Sequence, residues 1–135
     1  MVIALFPMRA QPPHIGHILT IVRLYDKYDK LIIHIADNPG KHYKPEHYII
    51  PPIESVKVFK EVFKYMPKVE VILGKQHIRD RTSFDDLPPF DIILTGNEQF
   101  IKDMKGDKPV LFIPRSKIYG FDISGTVLRK LMKNE

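Results

Sequence analysis

Short apolar runs alternate with amphipathic segments along the whole chain. Five runs have the length and composition of buried strands, at residues 2–6, 30–36, 69–73, 91–95 and 109–113. Helical spacing of apolar positions predicts helices over residues 16–28, 52–65, 96–104 and 123–133. Because strands that alternate with helices pair in parallel through crossovers, we expect an α/β fold. It should be a Rossmann-like doubly wound sheet of about five parallel strands, in a three-layer α/β/α sandwich that forms a single domain over residues 1–135.

The polar residues best suited to binding or catalysis come directly after the predicted strands. Pro7 is expected to end the first strand, and residues 37–52 and 74–89 are expected to form long loops. In open parallel sheets, ligands bind beyond the carboxyl ends of the strands. The segments expected there are residues 9–17, 37–52, 75–81, 96–97 and 115–124. The pattern therefore gathers most of the unusual polar residues at one edge of the sheet.

Composition excludes several classes of protein. There is no cysteine, so disulfides and thiolate metal sites are excluded. No apolar run approaches 18 residues and no basic leader precedes the first run, so we expect a cytoplasmic protein without a membrane partner. The net charge is +5. It fits either a solvated, lysine-rich surface or the attraction of anionic ligands, of which nucleotides are the simplest.

Two histidines stand where the first strand turns into the first helix, in the run His14-Ile15-Gly16-His17. A helix N-terminus offers free backbone N–H groups and a favourable dipole to a phosphate. Side chains spaced i, i+3 lie on the same side of a helix, so both imidazoles could donate to one phosphoryl group. Gly16 would let the backbone approach that group closely. His34, inside a predicted strand, is interpreted as a structural residue.

A second group of donors lies near the C-terminus, in Ile123-Ser124-Gly125-Thr126-Val127-Leu128-Arg129. Two hydroxyls and a guanidinium would cluster at one helix N-terminus, with Ser124 or a neighbour as the N-cap. Taken alone, this group is better explained by an ordinary cap with a surface arginine. Placed at the same sheet edge as His14 and His17, it becomes a second phosphate clamp.

Together these two motifs resemble those of the HIGH-motif nucleotidyltransferase superfamily, the cytidylyltransferase-like enzymes. The HxGH motif stands as His14 to His17, and the ISSTxxR-type motif stands as Ile123 to Arg129. Within that superfamily, Arg9-Ala10-Gln11-Pro12-Pro13-His14 is most similar to the GRFQPxHxGH opening of archaeal-type nicotinamide mononucleotide (NMN) adenylyltransferases. Thr95-Gly96-Asn97 is similar to their nucleotide-contacting turn.

The resemblance implies attack of a substrate phosphate on the α-phosphorus of ATP, with pyrophosphate as the leaving group and Mg²⁺ as the cofactor. It implies catalysis by positioning and electrostatics, without a protein nucleophile or protein metal ligand. The implied catalytic residues are Arg9, His14 and His17. The implied nucleotide- and phosphate-binding residues are Pro7, Met8, Gly16, Gly96, Asn97, Ser124, Gly125, Thr126 and Arg129. Asp37, Lys41 and Lys44 are the candidates for binding the acceptor substrate.

The chain also departs from the family pattern. Met8 stands where the family has glycine, Ala10 where it has an aromatic residue, and residues 53–57 lack the usual arginine. These departures concern the acceptor, so a cytidylyltransferase using CTP and a phosphopantetheine or FMN adenylyltransferase stay open as alternatives. So does a non-catalytic nucleotide-binding module. Nucleic acid is not the expected partner, because no basic stripe rich in aromatic residues is present. A homo-oligomer is compatible with the sequence.

Overall fold

The computed structural model describes residues 1–38, 49–76, 78, 84–103, 108–114, 117–118 and 121–122 of the 135-residue chain. The elements are β1 (Ile3–Met8), α1 (Ile15–Leu24) with a following 3-10 turn (Tyr25–Lys27), β2 (Lys30–Asn38), α2 (Pro52–Val62), β3 (Val69–Gln76), β4 (Ile92–Thr95), α3 (Glu98–Asp103), β5 (Val110–Phe112), β6 (Lys117–Ile118) and β7 (Phe121–Asp122). Among these elements, no helix is long and apolar enough to cross a bilayer.

The first five strands form one sheet in the order β3-β2-β1-β4-β5, and every neighbouring pair is parallel. The predicted five-stranded parallel sheet is therefore confirmed. The chain moves outward from β1 to β3 on one side and from β4 to β5 on the other. The direction of winding changes between β1 and β4, so the carboxyl ends of these two strands flank the crevice where open α/β sheets bind ligands.

The two faces of the sheet bury separate apolar clusters. One face packs against α1 and α2, and its fully buried members include Ala4, Ile33, Ile21 and Phe59. The opposite face buries residues such as Leu5, Ile32 and Ile93 against Ile78 and Phe90. Strands buried on both faces explain the continuous apolar runs in the sequence.

Pro7 does not end the first strand, contrary to expectation. β1 continues to Met8, and Pro7 lies opposite His34 of β2. The register between β1 and β4 contains only Ala4 and Leu5 of β1. The β4 ladder has therefore ended before Pro7, where a missing backbone N–H is tolerated.

The loop expected from Gly74 onward was also wrong at its start, because β3 runs to Gln76. Gly74 lies beneath the imidazole of His34. A Cβ built at Gly74 would stand 2.0 Å from His34 Nε2, so only glycine fits at this position. His34 is 1% exposed, as expected of a structural residue in a buried strand.

Other element boundaries differ from the predictions at the ends. α1 gives way to the 3-10 turn after Leu24, and α2 ends at Val62 rather than near residue 65. No strand was predicted within residues 115–124, yet β6 and β7 pair there as a short antiparallel ladder. Two-residue strands carry too little apolar periodicity for a sequence pattern to reveal them.

Candidate active site

The turn that follows β1 has an unusual backbone. Ala10 adopts a φ of 51°, in the left-handed region that favours glycine, and the Gln11–Pro12 peptide bond is cis. Ala10 is nevertheless 2% exposed and belongs to the main apolar cluster. The packing around Ala10 must therefore hold its left-handed φ in place.

His14 and His17 form the N-terminal cap of α1. His14 is the N-cap residue rather than a member of the first helical turn, and its Nδ1 accepts from the Gly16 N–H at 3.0 Å. His17 Nδ1 in turn accepts from the His14 N–H at 3.1 Å. The rings stack with their centroids 3.8 Å apart. The prediction that both rings face the same side is confirmed by this stacking.

These hydrogen bonds fix the tautomer of both rings. A nitrogen that accepts a backbone N–H carries no proton, so in a neutral ring the proton resides on Nε2. Burial lowers the pKa of His14 from 6.5 to about 4. Burial, and secondarily the neighbouring His14, lower the pKa of His17 from 6.5 to about 3. At neutral pH the pair therefore consists of two uncharged rings, each with an Nε2–H donor.

Helix α2 packs against the segment that joins β1 to α1 and against His17. The Phe59 ring meets the His17 ring edge to face, with centroids 5.7 Å apart at 85°. Ser55 Oγ donates to the Ala10 carbonyl at 2.7 Å, and both residues are buried. The sequence pattern linked neither Ser55 nor Phe59 to the site. A serine inside an amphipathic helix pattern gives no signal that it caps a distant carbonyl.

The loop after β4 lies next to that turn, because β4 neighbours β1 in the sheet. Thr95 is buried, and its Oγ1 accepts from the Asn97 N–H at 3.1 Å. Gly96 and Asn97 are exposed directly before α3. A Cβ at Gly96 would meet the Ile113 carbonyl at 3.5 Å, an ordinary contact. Packing against Ile113 therefore does not require glycine at position 96.

The remaining described candidates occupy distinct environments. Asp37 lies inside β2 rather than in a loop, and it is exposed near the carboxyl end of that strand. Met8 is 6% exposed and packs into the main cluster. Pro7 and Arg9 are half-buried, and Gly16 is buried in the first turn of α1.

Several candidates lie outside the described residues. They are Lys41 and Lys44 of the predicted acceptor loop, and Ser124, Gly125, Thr126 and Arg129 of the second phosphate motif. The C-terminal helix predicted over residues 123–133 also lies outside them. The convergence of the two phosphate motifs stays a prediction.

The described part of the chain contains no group of three or more histidine or acidic side chains that could hold a metal ion. It therefore provides no protein cage for a cation. A hard cation that keeps its waters and binds mainly through substrate phosphates needs no such cage. A cation carried by substrate phosphates would be compatible with the donors that the described residues provide.

The arrangement suits the binding of anionic oxygens. Two neutral Nε2–H donors stand at the N-terminus of a ten-residue helix, beside the point where the winding of the sheet reverses. Donors that are already oriented can stabilise charge that develops on a phosphoryl oxygen. Neither ring is placed to act as a nucleophile or as a base at neutral pH through Nδ1, since both Nδ1 atoms are engaged.

A model of the family described as cytidylyltransferase-like matches residues 5–130. The chain belongs to the cytidylyltransferase-like family. This confirms the nucleotidyltransferase resemblance drawn from the two motifs. Among curated relatives, a nicotinamide-nucleotide adenylyltransferase of Sulfurisphaera tokodaii is 29% identical, over 96% of this chain and 78% of its own length. Nicotinamide-nucleotide adenylyltransferase 1 of Sulfolobus acidocaldarius is 30% identical, over 98% and 79%.

The fold is shared with solved structures. A bifunctional NMN adenylyltransferase/ADP ribose pyrophosphatase from Francisella tularensis matches 98% of this chain with a TM-score of 0.66 and 14% identity. A structure of such a protein in complex with AMP and a manganese ion matches with a TM-score of 0.67 and 15% identity. The chain spans 42% of the length of those proteins. At this identity the similarity shows the fold of this chain and nothing of the second activity.

Proposed function

We propose that the protein is an NMN adenylyltransferase, which transfers AMP from ATP to nicotinamide mononucleotide and releases pyrophosphate. The observation that carries the proposal is the stacked, neutral pair of His14 and His17 at the switch point of a nucleotidyltransferase sheet. The names of the two relatives, at about 30% identity over nearly the whole chain, support ATP and NMN as the substrates.

In this reaction a phosphate oxygen of NMN attacks the α-phosphorus of ATP. A P–O bond forms to the acceptor, the bond between the α-phosphorus and the bridging oxygen breaks, and pyrophosphate takes the bonding electrons. No group on the protein becomes covalently attached. The Nε2–H groups of His14 and His17 would donate to phosphate oxygens whose negative charge grows as the bond breaks.

The other predicted residues complete this scheme as proposals. Arg9 would add positive charge at the phosphates, with the backbone of Pro7, Met8 and Gly16 close to the nucleotide. Gly96 and Asn97 would contact the nucleoside from the neighbouring strand. The hydroxyls of Ser124 and Thr126, the Gly125 backbone and Arg129 would hold the β- and γ-phosphates. Asp37, Lys41 and Lys44 would bind the acceptor.

The cofactor is a divalent cation, and Mg²⁺ is the ion we propose. It would enter with the triphosphate, held by phosphate oxygens and water in the absence of a protein cage among the described residues. Bound there, the ion would offset the charge of the leaving pyrophosphate. The protein's own part is to orient the phosphates and to donate from His14 and His17.

The larger-scale predictions also stay proposals. We infer a single catalytic domain over residues 1–135, a cytoplasmic location and ATP as the preferred nucleotide. Self-association in solution is compatible with the exposed apolar residues of the sheet edges, such as Leu73 and Phe112.

A thermal-shift panel followed by product analysis tests the proposal. ATP at about 100 times its dissociation constant should stabilise the protein by roughly 2.7 kcal/mol, and CTP should stabilise it less. In the activity assay, ATP with NMN should give NAD and pyrophosphate. The panel of other acceptors contains FMN, pantetheine phosphate and a sugar phosphate. Turnover of one of those acceptors but not of NMN would overturn the proposed substrate while keeping the chemistry.

A further inference from the structure

Gln11 makes a set of hydrogen bonds that the proposed mechanism does not use. Its side chain is 1% exposed. Oε1 accepts from the Ile49 N–H at 2.9 Å and from the Ile50 N–H at 3.0 Å. Nε2 donates to the Ile50 carbonyl at 2.9 Å. One amide side chain thereby pairs three backbone groups of a segment that is distant in sequence.

That segment leads directly into α2. Pro51 is the N-cap of the helix, and Ser55 lies on its first full turn, where its hydroxyl holds the Ala10 carbonyl. One turn further along, Phe59 contacts the His17 ring. Helix α2 thus contacts the site at two points: Ser55 binds Ala10, which precedes His14, and Phe59 packs against His17.

The geometry between Gln11 and His14 leaves little freedom. The two residues are separated only by Pro12 and Pro13, whose rings fix φ. On the other side, Ala10 holds a left-handed φ of 51° that its own side chain does not favour. A displacement of Gln11 would therefore be passed along the prolines to His14.

We propose that Gln11 is a positioning residue, which sets the place of the His14–His17 pair relative to the base of α2 by clamping the Ile49–Ile50 backbone. Gln11 touches neither substrate nor the reacting phosphorus in this scheme. The proposal rests on the proposed function for its kinetic consequence. Its structural consequence, a change at the two rings, is independent of which acceptor the enzyme uses.

Gln11→Leu is the direct test, because leucine fills similar space and makes none of the three hydrogen bonds. We expect kcat with ATP and NMN to fall by about 10- to 100-fold, since small misplacements of reacting groups have effects of this size. The Michaelis constant for ATP should change less than kcat. Full kcat per folded molecule in this variant would overturn the proposal.

Asp91→Ala is the matched control. Asp91 Oδ2 accepts from the Ile3 N–H at 2.8 Å, so this variant also removes a side-chain tie to the backbone of β1, but at the opposite end of the strand. We expect it to lose thermal stability and to keep kcat near that of the wild type. An equal loss of kcat in both variants would mean that general destabilisation, not positioning, explains the effect.

Nitrogen NMR of labelled histidine gives a readout that does not require activity. In the wild type, both rings should show an unprotonated Nδ1 and a protonated Nε2. In Gln11→Leu, the His14 ring should shift toward a mixture of tautomers, with its pKa moving back toward 6.5. Unchanged ring signals would overturn the proposal. Asp91→Ala should leave the ring signals as they are.

If Gln11→Leu does not fold, Gln11→Met decides the matter. Methionine is unbranched and close to glutamine in length, but it has no N–H donor and only a weak thioether acceptor for the Ile49 and Ile50 backbone. We expect changes of the same kind in the ring signals and in kcat. Wild-type ring signals and kcat in this variant would overturn the proposal. If the wild-type protein made no NAD, the proposed function would fail, whereas the NMR comparison would still decide the role of Gln11.

Discussion

His14 and His17 carry the chemistry through a division of labour within each ring. Nδ1 of each ring completes the cap of α1, and Nε2 is left with the proton. The cap therefore supplies both the orientation and the tautomer that phosphate binding needs. This coupling predicts that a variant can keep the cap while losing the donor.

His17→Asn is such a variant. The Asn carbonyl oxygen lies near the position of Nδ1 and can accept from the His14 N–H, but nothing replaces Nε2–H. We expect kcat to fall by about 10²- to 10³-fold, because one preorganised donor contributes roughly 2.7–4 kcal/mol to the transition state. Steady-state assays of NAD formation measure this. Val22→Ala, on the exposed side of the same helix, should behave as the wild type.

Activity within a few-fold of the wild type in His17→Asn would contradict the assigned role. Circular dichroism must show a folded helix for the comparison to count.

The lowered pKa values predict how stability depends on pH. Both rings have a pKa near 6.5 when unfolded, but about 4 and about 3 when folded. The unfolded chain therefore takes up protons first, so the contribution of this pair is complete above pH 6.5 and is lost as the pH falls toward 4. The slope approaches about 1.4 kcal/mol per pH unit for each histidine that titrates only in the unfolded state.

Urea denaturation at about pH 7.5 and about pH 5 measures this loss. The His17→Asn variant lacks one titrating ring and should lose less stability between the two pH values than the wild type. An identical loss in both proteins would show that His17 is not held neutral in the folded state.

Helix α2 is the element that connects the core to the site. Phe59 is fully buried and lies between His17 and Phe63, with the Phe63 ring centroid 5.9 Å away. We expect Phe59→Ala to lower the free energy of unfolding by about 3–5 kcal/mol, as for other buried aromatic truncations. Chemical denaturation checks the value. Val62→Ala, at an exposed position of the same helix, should change it by less than about 0.5 kcal/mol.

If Phe59→Ala lowered the free energy of unfolding no more than Val62→Ala does, the result would contradict the packing of Phe59 against His17.

The pairing of β2 with β3 depends on a glycine. Gly74→Ala would place a methyl group 2.0 Å from His34 Nε2, and the ring is too buried to move freely. We expect a loss of about 1–3 kcal/mol, typical of overpacking. In the double variant with His34→Ala, the added methyl group should cost clearly less. A double-mutant cycle with no coupling between the two positions would contradict this packing.

At the scale of the whole molecule, the alternation of strands and helices was predictable, because parallel strands buried on both faces have continuous apolar sequences. Pro7 and Ala10 are exceptions, because their conformations depend on neighbouring segments rather than on the local sequence. Pro7 is tolerated in β1 because the neighbouring ladder has already ended, which depends on a register that no local pattern encodes. The left-handed φ of Ala10 is equally hidden, since alanine gives no sign of it.

The residues of the candidate site also fall into two groups, those that the sequence identified and those that only the structure revealed. His14, Gly16 and His17 were found because their spacing matches a helix N-terminus and a known motif. Gln11, Ser55 and Phe59 were not assigned to the site, because their roles arise from contacts between segments far apart in the chain. Sequence motifs thus identified groups expected to touch the substrate, and the structure was needed to find those that hold them in place.

The central claim is transfer of an adenylyl group by attack at the α-phosphorus of ATP. Incubation with NMN and ATP labelled at either the α- or the γ-phosphate, followed by separation of the products, tests it most directly. We predict that the α-label appears in NAD and the γ-label in pyrophosphate, in equal amounts and only when both substrates are present. Label from the γ-phosphate in the nucleotide product, or no labelled NAD from folded protein, would contradict the account.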